Sequence, residues 1–362
     1  MRRSLGAAAM ALVVTIGCRP PLEGERSPGA SSIAGSLVAS VPVTVMIHLP
    51  GLPGALAAPF VYAQAAEVIT AANVVLDYTT PYPGESPFLS RTESDRVDLF
   101  VATSAAVTGA GADAANLVRI AQLQTRNDLE IVVPAKSKVA SVADLAGKSI
   151  LVDGFLGDEE PLIEALGAAG VSADSISITY SEDLSTPYDP IGLFDGSYDA
   201  VLTHPWDGGV RAVQGFDLDG NVIGVKGIRS ISLSDGGGSS HGGYGLWVDA
   251  SALDTPDLLT ALAATLIGAA DGLATCRDNV AECAATLADS GLADQSQTTL
   301  EWAIDRFLAS IYPSTVPILS LEGTGGQSDD RRVVDRAEGS WPAALDRLGS
   351  GWVPAGGPPP LE

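Results

Sequence analysis

The segment Val139 to Gly154, VASVADLAGKSILVDG, constrains the fold of this chain more than any other. A polar turn, Asp144-Leu145-Ala146-Gly147-Lys148, feeds a short apolar run, Ile150 to Val152, which breaks at Asp153-Gly154. A brief apolar run without alternation, closed by a glycine, reads as a strand buried in a parallel sheet. A helix pattern follows it, so free backbone N–H groups are expected at the strand's carboxyl end, where open α/β sheets bind ligands. The stretch DGSYDAVLTHPWDGG, Asp195 to Gly209, is built in the same way.

The amino end reads as a leader. Arg2 and Arg3 precede an apolar run, Leu5 to Ile16, too short to span a bilayer, and it stops at Thr15-Ile16-Gly17-Cys18. A positive start, a short apolar core and a small residue before cysteine form the pattern of a bacterial lipoprotein signal over residues 1–17, with Cys18 as the lipidated first residue of the mature chain. The alternative is an ordinary secretory signal with an incidental cysteine. Residues 18–40, rich in Pro, Gly, Ser and Ala, supply the linker that an anchored domain needs. No later run is expected to approach the ~20 apolar residues of a transmembrane helix.

About 320 of the 362 residues remain after leader and linker, enough for one large or two medium cores. A hydrophobic content of 46% excludes a disordered chain, and a formal charge of −24 argues against DNA, RNA or anionic lipid as partners. Cys276 and Cys283 frame CRDNVAEC between two helical patterns. Outside the cytoplasm a disulfide is permitted there, and closing so short a loop adds roughly 2–3 kcal/mol on the chain-entropy model. Two buried free thiols are the alternative. A metal site on these cysteines is not expected, since no histidine lies near them.

Strands and helices alternate along the chain, which means βαβ units and mainly parallel sheets. Strands are expected at Val41–Ile47, Asn73–Tyr78, Val97–Ala102, Leu117–Leu123, Leu129–Val133, Ile150–Val152, Ile176–Tyr180, Tyr198–Thr203 and Tyr244–Val248. Helices are expected at Ala55–Ile69, Phe88–Glu93, Glu159–Ala169, Pro190–Asp195, Pro256–Ala274, Asn279–Ala288, Gln295–Leu308 and Asp329–Leu348. The organisation this suggests is two lobes. Residues 41–127 and 225–362 form the first, residues 128–224 the second, with crossings near Asn127–Ile131 and Val222–Val225.

Several of these stretches resemble the solute-binding proteins of ABC transporters, in the group that handles nitrate, sulfonates, taurine and thiamine-pyrimidine precursors. The resemblance covers roughly Val43 to Ser314. It rests on VTVMIHLPGLPGALAAPFVYAQ, on Arg96 to Ser104, on the DLAGK strand followed by Gly154-Phe155-Leu156-Gly157, and on Gly196-Ser197-Tyr198-Asp199-Ala200 before His204-Pro205-Trp206. It implies an α/β, two-lobed periplasmic-binding-protein type II fold with mainly parallel sheets and a two-strand hinge. It also implies a monomer outside the cytoplasm, held to the cell membrane by its lipid. Such a protein is not an enzyme and has no cofactor. It captures a small molecule between its lobes for an ABC permease and ATPase. An exported enzyme or a signalling receptor on the same fold is the alternative.

The ligand-binding candidates are His48, Ser104, Phe155, Asp158, His204, Trp206 and Tyr244. His48, His204 and His241 fall in loops beside strand ends, and no two share a spacing that marks a metal site. Ser104 would present a hydroxyl and N–H groups at a helix start. Trp206, fixed by Pro205, would offer a flat platform, and Trp206, Phe155, Tyr82 and Tyr244 together suit a heteroaromatic or cationic ligand. Where sulfonate and nitrate binders usually carry small hydroxyl residues, this chain has Asp158-Glu159-Glu160. Acids at a helix start stabilise it by roughly 0.3–1 kcal/mol each. The sharper reading is that one faces the cleft and selects an amine-bearing ligand.

Overall fold

The computed structural model describes residues 38–50, 54–65, 68–79, 88, 93–124, 129–153, 159–181, 191–206, 227–233, 243–293 and 295–311. The leader with Cys18, the candidates Phe155 and Asp158, His241, Tyr82, the expected crossing at Val222–Val225 and the helix at Asp329–Leu348 lie outside them.

Ten strands form two five-stranded sheets. The first contains β1 (Val43–His48), β2 (Val74–Thr79), β3 (Arg96–Ala102), β4 (Leu117–Gln122) and β10 (Gly245–Asp249), in the order β2-β1-β3-β10-β4. The second contains β5 (Glu130–Pro134), β6 (Ser149–Asp153), β7 (Ser177–Ser181), β8 (Ala200–Thr203) and β9 (Ile228–Ser232), in the order β7-β6-β8-β5-β9. The two orders have one logic. Three strands run parallel, and the fourth position is taken by the first strand after a crossing, β10 or β5, which is antiparallel to both neighbours. Four of the five strands in each sheet thus point the same way, and the sheets are mainly parallel with one antiparallel strand arriving from the other lobe.

Each parallel strand reads as it packs. On β1, Val43, Val45 and Ile47 are buried on one face and His48 closes the other. The main core lies on the first face, where α1 (Ala58–Ala65), α6 (Pro256–Asp278), α7 (Val280–Asp289) and α8 (Gln297–Ile311) cover the first sheet. The expected helix Ala55–Ile69 is two pieces, α1 and the short α2 (Val68–Ala71). Gly272 brings α6 against α1: a Cβ there would stand 2.1 Å from the Pro59 carbonyl oxygen. By length and mean hydropathy α6 is also apolar enough to cross a membrane, contrary to the expectation that no later run approaches that limit. Its apolar residues are instead those of a central core helix, Leu258, Leu259, Leu262 and Leu273 among them, all buried. The second face of the first sheet carries a smaller core, in which Phe88, Phe100 and Trp247 meet α3 (Ser104–Gly109). The second sheet is covered on one face by α4 (Glu159–Ala168) and on the other by α5 (Ile191–Asp195). Cys276 and Cys283 form a disulfide between α6 and α7.

Two details of the boundaries differ from the sequence reading. The ordered domain starts before residue 41: Ala39 is buried and its carbonyl accepts from Asn73 Nδ2 at 3.0 Å, while Ser40 Oγ donates to Asp257 Oδ2 at 2.6 Å. The chain also does not return to the first lobe at residue 225. Ile228–Ser232 pairs with β5 along its whole length, so the chain is still in the second sheet at Ser232 and is in the first by Gly245. The sequence reading contains no strand at β9 because its sequence, IRSIS, is that of a half-exposed edge strand with little apolar signal. Of the helix expected over Phe88–Glu93, Glu93 forms an antiparallel bridge with Arg96 instead.

Candidate functional site

The described residues that flank the two crossings are hydrogen-bonded to each other near both sheets. Leaving β4, Leu123 N and Gln124 N both donate to the carbonyl of Tyr244, each at 2.9 Å, just before β10 begins. Near the second sheet, Leu233 N donates to Leu129 O at 3.1 Å. Gln124 is fully buried, and its Oε1 accepts from Tyr244 N at 3.3 Å. Two connections tied together at their described ends, between two cores, are the arrangement in which a few residues absorb the rotation of one lobe against the other.

Around this hinge the structure brings together three of the sequence candidates, His204, Trp206 and Tyr244. His204 follows β8 of the second sheet, yet its Nε2 lies 3.0 Å from the Tyr244 hydroxyl of the first lobe. Its ring stacks on Trp206 with centroids 4.6 Å apart at 17°. Trp206 in turn meets Phe307 of α8 edge-on at 5.4 Å. All three candidates are buried, and Trp206 and Tyr244 belong to the main core of the first sheet. Trp206 is therefore not an open platform here: His204 covers one side of its ring and Phe307 stands against it. A segment leaving the second sheet is clasped into the first lobe.

The other two described candidates sit at strand ends of the first sheet. His48 closes β1, and its ring lies 4.4 Å from that of Phe100. Its Nε2 is 2.9 Å from Asp98 Oδ1, an oxygen that also accepts from Arg96 Nη2 at 3.1 Å. Ser104 opens α3 directly after β3, with Thr103 as the N-cap: Thr103 Oγ1 accepts from Ala106 N at 3.2 Å. Arg119 Nη1 of β4 donates to Ser104 Oγ at 3.5 Å, and the guanidinium lies over Trp247, 5.7 Å from the ring centroid. Each lobe-one candidate is thus backed by a buried charge, Asp98 beneath His48 and Arg119 beneath Ser104. The sequence reading missed both. The available signal was a charge inside an otherwise apolar strand, as in RVDLFVA and LVRIAQ, because such a residue is buried and needs a partner.

On the second lobe, Glu159 is the only acid of the Asp158-Glu159-Glu160 run with a described hydrogen bond, accepting from Tyr180 Oη of β7 at 2.5 Å. That bond, ahead of burial, pushes the Tyr180 hydroxyl above its ordinary pKa. Glu160 is exposed at the start of α4. Among the described residues no group of three His, Cys, Asp or Glu side chains is placed to hold a metal ion.

Residues 57–230 match the family model described as NMT1/THI5 like. No curated protein matches the chain. Among solved structures, the periplasmic aliphatic sulphonate binding protein SsuA from Escherichia coli aligns at a TM-score of 0.58 and 15% identity, covering 85% of this chain and 89% of its own. The alkanesulfonate-binding protein SsuA from Xanthomonas axonopodis pv. citri, bound to MOPS, aligns at 0.52 and 18% identity, covering 88% of this chain and 98% of its own. The ligand binding component of an ABC-type import system from Staphylococcus aureus, with zinc bound, aligns at 0.53 and 11% identity, covering 82% of this chain and 91% of its own.

Proposed function

Starting from a chain that carries an NMT1/THI5-like domain on the periplasmic-binding-protein type II fold, we propose that it is an extracytoplasmic solute-binding protein that serves an ABC permease and ATPase. The observation that carries this reading is the pair of crossings, hydrogen-bonded at Tyr244 and at Leu129, that joins two sheets of one topology. Each sheet has its own core, with Trp206 reaching from the second sheet into the first, so rotation at the crossings opens and closes the space between the lobes within the limit that clasp sets. A small molecule touching both lobes favours the closed state by its differential contacts. The lobes correspond to residues 39–124 with 243–311, and 129–233. Cys18, acylated after removal of residues 1–17, anchors the protein as a monomer to the membrane.

For the ligand, His48 and Ser104 provide the first-lobe contacts, and Phe155 and Asp158 are kept as the second-lobe contacts. His204, Trp206 and Tyr244 are assigned to the hinge clasp that sets how far the lobes move. Two of the aligned structures are of sulfonate binders by name. Arg119 beneath Ser104 suits an acidic or strongly accepting group, while the acids at the start of α4 suit an amine. The ligand class that satisfies both is a small polar molecule bearing an acceptor at one end and an amine or heteroaromatic N–H at the other.

The test is a melting-temperature screen of the mature protein against alkanesulfonates, taurine, pyrimidines, riboflavin and polyamines. Small-angle scattering then measures compaction on binding, and the bound compound is recovered for mass analysis. A melting shift, a smaller radius of gyration and an unchanged compound are expected. Conversion of the compound makes the protein an enzyme, and the absence of any shift removes the solute-binding reading.

A further inference from the structure

Asp98 is the third residue of β3 and is wholly buried, with Arg96 and His48 both on its Oδ1. A charge in such a place is tolerated only with close partners. A carboxylate accepts and cannot donate, so the Nε2 that His48 turns toward Asp98 carries the hydrogen. The neutral ring then has its lone pair at Nδ1, which has no hydrogen bond among the described residues. The ring is part-exposed, 18% for the side chain, at the strand end on the side of the sheet where the crossing at Leu123 and Tyr244 leaves. The Phe100 ring at 4.4 Å holds it from the side.

We infer that Asp98 is a positioning residue that locks His48 in its Nε2–H form, so that Nδ1 is the hydrogen-bond acceptor this wall offers a ligand. The inference rests on the solute-binding reading for its use, though not for its test. A ligand group meeting His48 at Nδ1 must then bring an N–H or O–H of its own. Arg96 donates to the same carboxylate oxygen and so shares the buried charge of Asp98. The charged groups against the ring are Asp98 and, through it, Arg96. Thr79, opposite His48 on β2, carries none.

Nitrogen-15 NMR of histidine-labelled mature protein tests this without any ligand, with the His48 signal assigned through His48→Gln. The neutral ring of the unaltered protein is expected as the Nε2–H tautomer alone, and Asp98→Asn is expected to give a mixture of both tautomers. A neutral ring held as Nδ1–H, or a tautomer ratio unchanged in Asp98→Asn, overturns the inference. Should Asp98→Asn fail to fold, Arg96→Gln leaves the carboxylate in place. It is expected to keep the Nε2–H form, and a ring held as Nδ1–H or as a mixture in Arg96→Gln overturns the inference. A protein with the expected tautomer that no screened compound stabilises would count against the solute-binding reading and not against the role of Asp98.

Discussion

Lys148 and Asp199 join the two sequence stretches that organise the second lobe: Lys148 Nζ lies 3.0 Å from Asp199 Oδ1, across the parallel strands β6 and β8. The other carboxylate oxygen accepts from Ser149 N at 3.0 Å, and Asp199 N donates to Ser149 O at 2.9 Å. The lysine that ends Asp-Leu-Ala-Gly-Lys and the aspartate of Gly-Ser-Tyr-Asp-Ala therefore form one structural lock at the amino ends of two neighbouring strands. Both lie at the end of the sheet opposite the one from which β8 leads to His204.

Burial works against the Asp199 carboxylate, but the bonds from Ser149 and Lys148 outweigh it and hold its pKa below the ordinary value. A lowered folded pKa means stability that is present above the unfolded value of about 3.9 and is lost as pH falls through the folded one. Asp199→Asn is expected to cost about 1 kcal/mol at pH 7, a modest figure because the pair is over a third exposed. Urea titrations of both proteins at pH 7 and pH 3 check this. The difference should shrink at the lower pH, and a constant difference would mean the carboxylate charge is not involved.

Trp206→Ala should behave as a core truncation. With His204 stacked on the ring and Phe307 edge-on, the loss is expected to be about 3–5 kcal/mol, seen as a lower melting temperature of the first lobe. Unchanged stability with lost ligand affinity would return Trp206 to the role of a binding platform.

Gly272→Ala should destabilise by roughly 1–3 kcal/mol or more, because the new Cβ meets a backbone oxygen of Pro59 that cannot swing aside. Gly147→Ala makes a useful contrast: its φ of +73° strains an L-residue, but nothing stands within 4 Å of the added carbon, so its cost should be smaller, about 1 kcal/mol. Equal melting temperatures for Gly272→Ala and the unaltered protein would show that α6 and α1 do not approach as described.

Reduction of Cys276–Cys283, or the paired change of both to serine, is expected to lower stability by about 2–3 kcal/mol on the chain-entropy model. Chemical denaturation with and without reductant measures it. Both sulfurs are buried, so reduction should be slow in the folded protein and fast once urea loosens α6 and α7.

Cys18→Ser in the full chain should move the protein from the membrane fraction to the soluble one. Mass spectrometry of the unaltered mature protein should find an acylated Cys18 as its first residue. A mature chain that begins beyond Cys18 would sink the lipid anchor.

What local sequence determined here are the central strands and the core helices. The alternation at Val43 and the apolar runs at Val97, Ile150 and Ala200 suit a strand covered on one or both faces, so their positions were legible. The disulfide of Cys276 with Cys283 was legible as one of two alternatives, since they stand seven positions apart with helical patterns on both sides. Edge strand β9 was not, because an edge needs little apolar surface and IRSIS carries little. Nor were the partners of the charges. That Asp98 needed a partner follows from its surroundings, but His48 becomes that partner only because β1 lies beside β3. Likewise His204 and Trp206 read as cleft residues while they are seen only as the end of β8. Their burial depends on Tyr244 and Phe307, residues far along the chain that the hinge and α8 bring to them. Burial and pairing of a strand-end side chain are decided by which elements become neighbours, and strand order is a property of the whole packed chain rather than of any window within it.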